Sequence, residues 1–493
     1  SSDVCSSDLS EGTGIITANS VSVTRAGSGA TTIDSIDATT TLTVVNNSSG
    51  TMTITTSDAE GDTNISTTAG VLAATTLSTD NVTLTGGSMD DTLVASGTTE
   101  AGKTHTLSGG AGADGITGGG GNDVLLGGSG NDTITAGAGK DSIDAGAGTD
   151  SIVMSTNLVS TDTISGVDGT DTLTATVAAN YSGTITGVEV LSLNFTAADN
   201  GTFSFENIDS VATIVVVADT DNNAVILGSV ASGTTVRIND ADIVTTIDTV
   251  ADASLTVDVR SPVSGTEETL TITDAASVTV KSGTAVANGT ANIVLDAVDT
   301  TALTVVAAKG AALTTGAITG TNKLATVSVS TSVTSGTAVV GTIADADTLS
   351  TITLTASEAN ATIGQIGTDA TANNAEVLGT ITVNASGSGV TATLGDVYSD
   401  STVNSTTDNT VTVNVTAETS ATSALGLIDN TYGTINATYD SEGTVTQTTL
   451  TGVAMTIANS GAGSNVISTI NGTGAVSVTT SGAGTFERSE ERR

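Results

Sequence analysis

The sequence predicts an all-β protein with a thin, extended core. Three observations carry this prediction: the 493 residues are 37% hydrophobic but only 2% aromatic, they include one proline, and Val, Ile and Thr recur throughout. Aromatic side chains supply the largest buried areas, so their scarcity argues against a thick core. β-branched residues favour pleated strands. We expect a parallel β-roll within a longer right-handed β-solenoid, and the alternative is a β-roll flanked by β-sandwich domains.

The charge balance excludes several classes of function. The net charge is −41, from 11 Lys and Arg against 52 Asp and Glu. So many acids repel phosphate groups, and no nucleic-acid partner is expected. His105 is the only histidine, which excludes a multi-histidine zinc site, and we expect its side chain to be solvated. The longest apolar stretch, residues 211–218, is far shorter than the roughly 18 residues of a spanning helix, so no transmembrane segment is expected.

The two ends of the chain differ in composition from the Thr-rich body. Residues 5–9, CSSDL, can be encoded by TGCTCTTCCGATCT, and residues 488–492, RSEER, by AGATCGGAAGAGCG. Apart from flanking bases these are reverse complements of one short DNA that resembles a sequencing adapter. Residues 1–9 and 487–493 are therefore interpreted as translated adapter and left out of fold reasoning, with the body an internal fragment. The body then has no cysteine and no disulfide, because Cys5 is the only cysteine.

Five consecutive nonapeptides occupy residues 109–153: GGAGADGIT, GGGGNDVLL, GGSGNDTIT, AGAGKDSID and AGAGTDSIV. Position 6 is always Asp and position 8 is always Ile or Leu. A degenerate copy at 86–94 has Asp91 at position 6 and Met89 in place of the fourth-position glycine, and a partial copy carries Asp171. A flexible Gly-rich linker has no reason to keep this pattern, so it predicts a repeated structural unit.

Each nonapeptide is predicted to form a six-residue turn and a three-residue strand whose position 8 points inward. Two consecutive nonapeptides make one coil, so repeats one, three and five share an edge and repeats two and four share the other. Glycine permits positive φ, which lets carbonyl groups converge, and clustered carboxylate and carbonyl oxygens suit Ca²⁺. We predict about three full calcium sites, with weaker terminal half-sites at Asp91 or Asp171. The predicted metal-binding residues are Gly110, Gly112, Asp114, Gly119, Gly121, Asp123, Gly128, Gly130, Asp132, Gly137, Gly139, Asp141, Gly146, Gly148 and Asp150.

The repeats resemble the RTX (repeats-in-toxin) family, whose signature is G-G-x-G-x-D-x-U-x with U aliphatic. The resemblance is close over 109–153 and loose over 86–174. Ala136 and Ala145 replace the first glycine, which is tolerable if that position does not need positive φ. Segments at 162–177, 185–195 and 205–217 resemble one common in bacterial surface-layer and large surface-exposed RTX proteins. The resemblance implies calcium as cofactor, export by a type I system and a location outside the cell or on a bacterial surface.

Beyond residue 250, alternating strand signals recur at intervals of roughly 23 to 30 residues, as solenoid coils with variable loops would give. Similar signals precede the nonapeptides at 21–23, 42–44 and 52–54. Large anchoring side chains, which β-sandwiches usually contain, are scarce, and this favours the solenoid. The predicted organisation is an adapter-like segment at 1–9, an N-terminal β-repeat region at 10–85, a calcium-binding β-roll at 86–174, a Thr-rich β-strand region at 175–486 and an adapter-like segment at 487–493.

No catalytic constellation stands out, so we expect a non-enzymatic, calcium-dependent extracellular structural protein of surface-layer or RTX-adhesin type. It is expected to fold on binding Ca²⁺ after export. Its expected partners are calcium and either further copies of itself in a surface lattice or a cell-surface polysaccharide. The alternative is the calcium-binding region of a secreted enzyme whose catalytic domain lies outside this sequence.

Overall fold

Strands alone build the fold in the computed structural model, in which the described residues form 40 strands and no helix. The predicted all-β class is therefore confirmed. No helix in that part of the chain has the length and apolar character needed to cross a bilayer. The structure describes residues 15–25, 28–47, 49–59, 61–76, 81–95, 103–177, 180–195, 201–219, 225–239, 244–260, 269–282, 289–295, 300–307, 313–319, 323–331, 336–344, 348–367, 378–398 and 410–492.

The chain divides into two compact units, residues 1–221 and 222–493. The strands of the first unit are mostly short, and many alternate buried with exposed or half-buried residues. They are β1 (Ile15–Arg25), β2 (Thr31–Ile33), β3 (Ser35–Asn46), β4 (Met52–Ala59), β5 (Thr63–Thr67), β6 (Leu72–Thr76), β7 (Val82–Thr85), β8 (Thr92–Ala95), β9 (Thr106–Ala111), β10 (Gly115–Gly120), β11 (Val124–Ser129), β12 (Thr133–Ala138), β13 (Ser142–Gly148), β14 (Ser151–Ser155), β15 (Thr163–Gly169), β16 (Thr172–Val177), β17 (Thr184–Thr186), β18 (Val190–Phe195), β19 (Gly201–Ser204) and β20 (Thr213–Asp219).

Two columns of buried aliphatic side chains form the core of the first unit. Its strands pair in parallel with the strand two places along the chain, so alternate strands stack on the same face of the coil. Each fully buried Val, Leu or Ile side chain contributes roughly 1.5–3 kcal/mol to stability. One column consists of Ile33, Ile54, Ala74, Leu93, Ile116, Ile134, Ile152, Leu173, Leu191 and Ile214. The other consists of Val23, Val44, Ile65, Leu84, Leu107, Leu125, Ile143, Ile164 and Ile185.

The second unit contains longer strands, several of which turn a corner through a register shift. They are β21 (Val225–Val230), β22 (Thr235–Ile238), β23 (Val244–Val259), β24 (Thr269–Ser282), β25 (Gly289–Leu295), β26 (Ala302–Ala307), β27 (Leu313–Thr319), β28 (Thr326–Thr331), β29 (Ala338–Val340), β30 (Thr351–Ala356), β31 (Ala361–Ile363), β32 (Thr380–Ala385), β33 (Thr391–Leu394), β34 (Val397–Tyr398), β35 (Thr410–Ala417), β36 (Thr422–Ser441), β37 (Thr444–Ser460), β38 (Ser464–Gly472), β39 (Val476–Thr480) and β40 (Thr485–Arg492).

The strand signals predicted beyond residue 250 stack on one another in the second unit. Its first apolar column comprises Leu255, Val278, Leu303, Val327, Ile352, Ile381 and Val413. A parallel column two residues further along each strand comprises Val257, Val280, Val305, Val329, Leu354, Val383 and Val415. A third column on another face comprises Ile318, Ile343, Ile366, Val397, Ile428, Leu450 and Ile470. These coils therefore surround an interior lined by apolar side chains on more than one face.

Both units are thus parallel β-solenoids, and the sandwich alternative is wrong for the described residues. β-sandwiches pack antiparallel sheets face to face, whereas every described register between named strands is parallel, as between β26 and β28 or between β36 and β37. Residues 1–9 lie outside the described part of the chain, and residues 485–492 pair with β38 as strand β40. The adapter interpretation and the predicted boundaries within the body stay predictions.

Candidate metal centre

The five nonapeptides stack with the predicted period of two repeats per coil. Ile116 pairs with Ile134, and Ile134 pairs with Ile152, so repeats one, three and five follow one another on one edge. Leu125 pairs with Ile143, which places repeats two and four on the other. All five position-8 side chains are buried. The aliphatic residue of each repeat therefore anchors its strand. The predicted split into a six-residue turn and a three-residue strand is wrong, because β10, β11 and β12 are each six residues long and run from position 7 of one repeat to position 3 of the next. Only positions 4 to 6 of the Gly-rich turn lie between these strands, at the two edges of the coil.

Glycine is required at positions 2 and 4 of each turn for two reasons. First, all ten glycines have φ between 97° and 154°, a region that side chains other than glycine rarely adopt. Second, a Cβ at Gly128 or Gly130 would collide with the carbonyl oxygen of Gly110 or Gly112 in the coil before. Stacked turns therefore bring their carbonyl groups close together. The ten residues are Gly110, Gly112, Gly119, Gly121, Gly128, Gly130, Gly137, Gly139, Gly146 and Gly148.

Position 1 does not need positive φ, although a Cβ at Gly118 or Gly127 would lie 2.5 or 2.2 Å from the carbonyl oxygen of Ala136 or Ala145 in the next coil. The residues with positive φ include neither Gly118 and Gly127 nor the alanines that replace them in later repeats. The condition for tolerating Ala136 and Ala145, that position 1 does not need positive φ, is therefore met, and both are fully buried. Where glycine is present, it leaves space beside the acid of its own turn, since a Cβ at Gly118 would lie 2.6 Å from Oδ2 of Asp123.

The acids on the first edge form a continuous ladder, which we call column A: Asp91, Asp114, Asp132, Asp150 and Asp171. Oδ1 of each later member accepts the backbone N–H of the member before it, at 2.7–2.8 Å. Beyond column A, Glu189 accepts the N–H of Asp171 through Oε2 at 2.8 Å. One oxygen of each carboxylate thus links its own turn to the preceding turn along the coil axis.

Column B, on the second edge, consists of His105, Asp123, Asp141 and Asp162. Its Oδ1 atoms accept the N–H of the preceding member at 2.9–3.0 Å. The prediction that His105 is solvated is wrong: its side chain is 2% exposed, and Nδ1 lies 2.9 Å from the carbonyl oxygen of Gly118 and 3.2 Å from Oδ1 of Asp123. Because Leu107 follows two residues later and stacks on Leu125, His105 occupies the Asp position of a degenerate repeat.

Six buried carboxylate oxygens in columns A and B lack any hydrogen-bond partner among the described residues. They are the Oδ2 atoms of Asp114, Asp123, Asp132, Asp141, Asp150 and Asp171, and each side chain is at most 2% exposed. A buried ionised carboxylate without a partner is strongly destabilising, because burial removes its hydration. The turns must therefore bind a compensating cation or take up protons.

The pKa values of these acids are raised for the same reason, the unfavourable burial of the ionised carboxylate. Burial raises the pKa of Asp123 to about 7, and of Asp114 and Asp141 to about 6, although backbone hydrogen bonds oppose the shift. Burial also raises the pKa of Asp132 and Asp150. Stacked acids on the same edge add to the effect by mutual repulsion. A cation at each edge would relieve both burial and repulsion.

The donor set fits a hard divalent cation such as Ca²⁺. Among the described residues, no three His, Cys, Asp or Glu side chains converge on one point, so a site built from side chains alone is absent from that part of the chain. Backbone carbonyl groups, which the glycines bring together, would have to complete the coordination shell. Ca²⁺ accepts six to eight carboxylate and carbonyl oxygens in a flexible geometry. The residues that would hold it are the fifteen predicted from the repeats.

Sequence reasoning missed three members of this arrangement: His105, Asp162 and Glu189. The first two lie in turns without the Gly-rich pattern, and Glu189 replaces the usual aspartate. A shorter signal would have found them, since each is followed two residues later by a buried aliphatic residue: Leu107, Ile164 and Leu191.

Stacked Gly-rich turns with buried acids at their edges define a calcium-binding β-roll. A comparison with family models agrees, since four copies of the RTX calcium-binding nonapeptide repeat match over residues 106–125 and 117–152. The chain therefore carries RTX calcium-binding repeats. No curated protein and no solved structure matches the chain.

Proposed function

We propose that this chain is a calcium-dependent structural protein of the bacterial cell surface, of surface-layer or adhesin type, and that it is not an enzyme. In this proposal the roll stays unfolded where calcium is scarce, folds when export brings it into millimolar calcium, and then holds the neighbouring coils in place. The chain would act as a rigid, highly charged surface element.

The observation that carries the proposal is the set of six unpartnered, buried Oδ2 atoms. Without a counterion these acids repel one another in stacked turns, and their strands are only five to seven residues long. Extracellular calcium modules bind with dissociation constants of roughly 10⁻⁴–10⁻³ M. Such weak sites stay empty inside a cell and fill outside it, which supports folding after export.

The continuity of the first unit supports a structural role. The apolar column that includes Ile116 and Ile134 continues into Leu93 on one side and Leu173 on the other without a break in register. An ordered roll therefore presents a template edge to the coils on both sides. A calcium-binding region of a secreted enzyme, the alternative from the sequence, has no comparable observation in its favour.

The large negative charge bears on the partners. With 52 acids against 11 basic residues, the surface repels other copies of the chain and anionic polymers unless cations bridge them. We therefore propose calcium-bridged self-association in a surface lattice as the partner interaction, with binding to a cell-surface polysaccharide as the second candidate. Export by a type I system belongs to the same proposal.

The test uses the full chain with a matched pair of variants. Asp114→Asn, Asp132→Asn and Asp150→Asn together remove three unpartnered anionic oxygens, whereas Asp144→Asn removes an exposed acid from the same region. Circular dichroism should show a gain of β structure with millimolar calcium in the wild type and in Asp144→Asn, and a reduced gain in the triple variant. Electron microscopy should then show ordered assemblies only with calcium. Equal spectra with calcium and with chelator would exclude calcium-dependent folding, and dispersed monomers with calcium would exclude the lattice.

A further inference from the structure

Asp171 lies outside the matched repeats, yet its carboxylate has the same environment as theirs. Its side chain is fully buried, and Oδ1 accepts the N–H of Asp150 at 2.8 Å. Its Oδ2 atom is the sixth oxygen without a partner. An isolated acidic residue at the end of an array would instead be hydrated, or bonded to its own backbone. This side chain therefore has an unsatisfied anionic oxygen beside the first glycine of its own turn, since a Cβ at Gly166 would lie 2.4 Å from it.

The turn before Asp171 has the conformation of the nonapeptide turns. Residues 166–174, GVDGTDTLT, match the nonapeptide with valine at position 2. Val167 stacks on Gly146 and Gly169 stacks on Gly148, and both have positive φ, 80° and 139°. A Cβ at Gly169 would collide with the carbonyl oxygen of Gly148, so the turn carbonyls remain stacked here too. The additional residues between Asp150 and Asp171 are taken up before this turn, so the turn itself keeps its length.

Two other buried acids of the columns have a hydrogen-bond partner on both carboxylate oxygens. Both oxygens of Asp91 accept backbone N–H groups, from Leu72 and, at 2.7 Å, from Gly87 in its own turn. Asp162 accepts the N–H of Asp141 on one oxygen and that of Val159, three residues earlier, on the other at 2.9 Å. Neither turn places a residue in the positive-φ region at positions 2 and 4. These acids are already satisfied by the backbone.

We propose that a further calcium ion binds between the turns that end at Asp150 and Asp171, and that Asp91 and Asp162 close the columns as backbone-bonded caps. The inference rests on calcium binding by the neighbouring nonapeptides. An ion belongs between two adjacent turns that each have an unpartnered oxygen. Column A then holds three ions and column B holds one, so the roll holds four where the nonapeptides alone predict three.

With this further ion, Asp150 no longer lies at the end of the series of calcium sites. From the five repeats, Asp150 ends the array and would touch one ion, so its loss would cost less calcium affinity than the loss of Asp132. With Asp171 in column A, Asp132 and Asp150 each lie between two acids that have an unpartnered oxygen. The variants Asp132→Ala and Asp150→Ala should therefore weaken calcium binding to a similar extent, and both by more than Asp114→Ala.

The test counts the calcium ions bound to the full chain at saturation, by equilibrium dialysis in millimolar calcium at physiological ionic strength with excess magnesium, and by native mass spectrometry. Asp171→Asn is isosteric and keeps the oxygen that accepts the N–H of Asp150. Asp168→Asn is the matched control, an exposed acid in the same turn, and Asp162→Asn tests a cap. Circular dichroism in millimolar calcium confirms that each variant is folded.

We expect four ions on the wild type and on Asp168→Asn, and three on Asp171→Asn. Asp162→Asn should still bind four ions while its melting temperature falls. Three ions on both the wild type and Asp171→Asn would overturn the inference and leave the calcium function intact. The loss of an ion from Asp162→Asn would overturn the division into ligands and caps. A wild type that binds no calcium would instead refute the proposed function.

Discussion

The nonapeptide coils and the coils of the second unit share a strand geometry but differ in what stabilises their interior. In the roll, stacked residues such as Ile116 and Ile134 lie only two nonapeptides apart. The coils of the second unit are longer, since Leu303 stacks on Val327 and Ile381 stacks on Val413. A longer coil buries aliphatic side chains on an additional face. A short coil has Gly-rich turns at its edges, where six buried carboxylate oxygens have no hydrogen-bond partner within the described part of the chain.

The largest expected effect is the loss of the roll when calcium is removed. With chelator, amide hydrogens in residues 106–174 should exchange within seconds, because their acids then repel one another without compensation. Amides in residues 351–367, 378–398 and 410–460 should stay protected, since apolar columns hold those strands. Hydrogen exchange with mass spectrometry measures both regions in one sample. Equal loss of protection in both regions would show that calcium stabilises the second unit as well.

A core substitution in the second unit should act independently of calcium. Leu354 is fully buried between Val329 and Val383, so Leu354→Ala should lower the free energy of unfolding of that unit by about 2–5 kcal/mol. Denaturant unfolding, followed with and without calcium, measures the change. The matched control is the exposed Thr326→Ala, which should change stability by less than about 0.5 kcal/mol. A calcium-dependent loss in Leu354→Ala would contradict the separation of the two regions.

The roll should bind calcium more weakly in acid. Burial raises the pKa of Asp123 to about 7 and that of Asp114 and Asp141 to about 6, so the folded, metal-free roll holds protons that the unfolded chain releases. Its metal-free stability is thus greatest below about pH 4 and falls as the pH rises through about 4 to 7. Calcium must displace those protons from the folded, metal-free roll. Between about pH 8 and about pH 5 its midpoint concentration should therefore rise about tenfold for each ligand with a pKa of about 6, and about a hundredfold for Asp123, whose pKa is about 7.

Circular dichroism at the two pH values measures both effects. The second unit serves as an internal reference, because its apolar columns consist of aliphatic side chains, which do not titrate. A calcium midpoint that is the same at both pH values would show that the acids of columns A and B are ionised throughout, and would remove the basis for proton competition.

The smallest expected effect concerns the strained Val167. Positive φ in a β-branched residue costs roughly 1–3 kcal/mol, and glycine adopts it freely but loses more conformational entropy on folding. Val167→Gly should therefore stabilise the calcium-bound first unit by about 1 kcal/mol. Val217→Gly, an exposed strand valine without positive φ, is the control and should be destabilising. Thermal unfolding in calcium decides between the two, and a lower melting temperature for Val167→Gly would show that its backbone is unstrained.

The sequence was sufficient for the coil length and for the edge assignment of Asp114, Asp132 and Asp150, because a strict nine-residue period with an inward aliphatic residue permits few alternatives. It was insufficient where the period changes. Asp162 and Asp171 follow their stacked partners after 21 residues. A count in steps of nine from the array therefore reaches neither, and Asp171 was found only because a partial copy of the repeat surrounds it. His105 could not be placed because an imidazole in a carboxylate position breaks the motif. The division of acids into ligands and caps depends on backbone N–H donors such as Gly87 and Val159, which no residue pattern specifies.

The alternation of the two edges also sets a rule for length variation in the gene. Removing two consecutive nonapeptides, for example 118–135, would delete one whole coil and leave each later turn on its own edge. Removing a single nonapeptide, 118–126, would instead delete half a coil. Each later turn of the first unit would then be rotated by half a revolution about the axis, and Asp132 would continue column B while Asp141 continued column A. Coding changes that add or remove an even number of nonapeptides therefore leave every later turn on its own edge. Changes of an odd number move every later turn to the opposite edge.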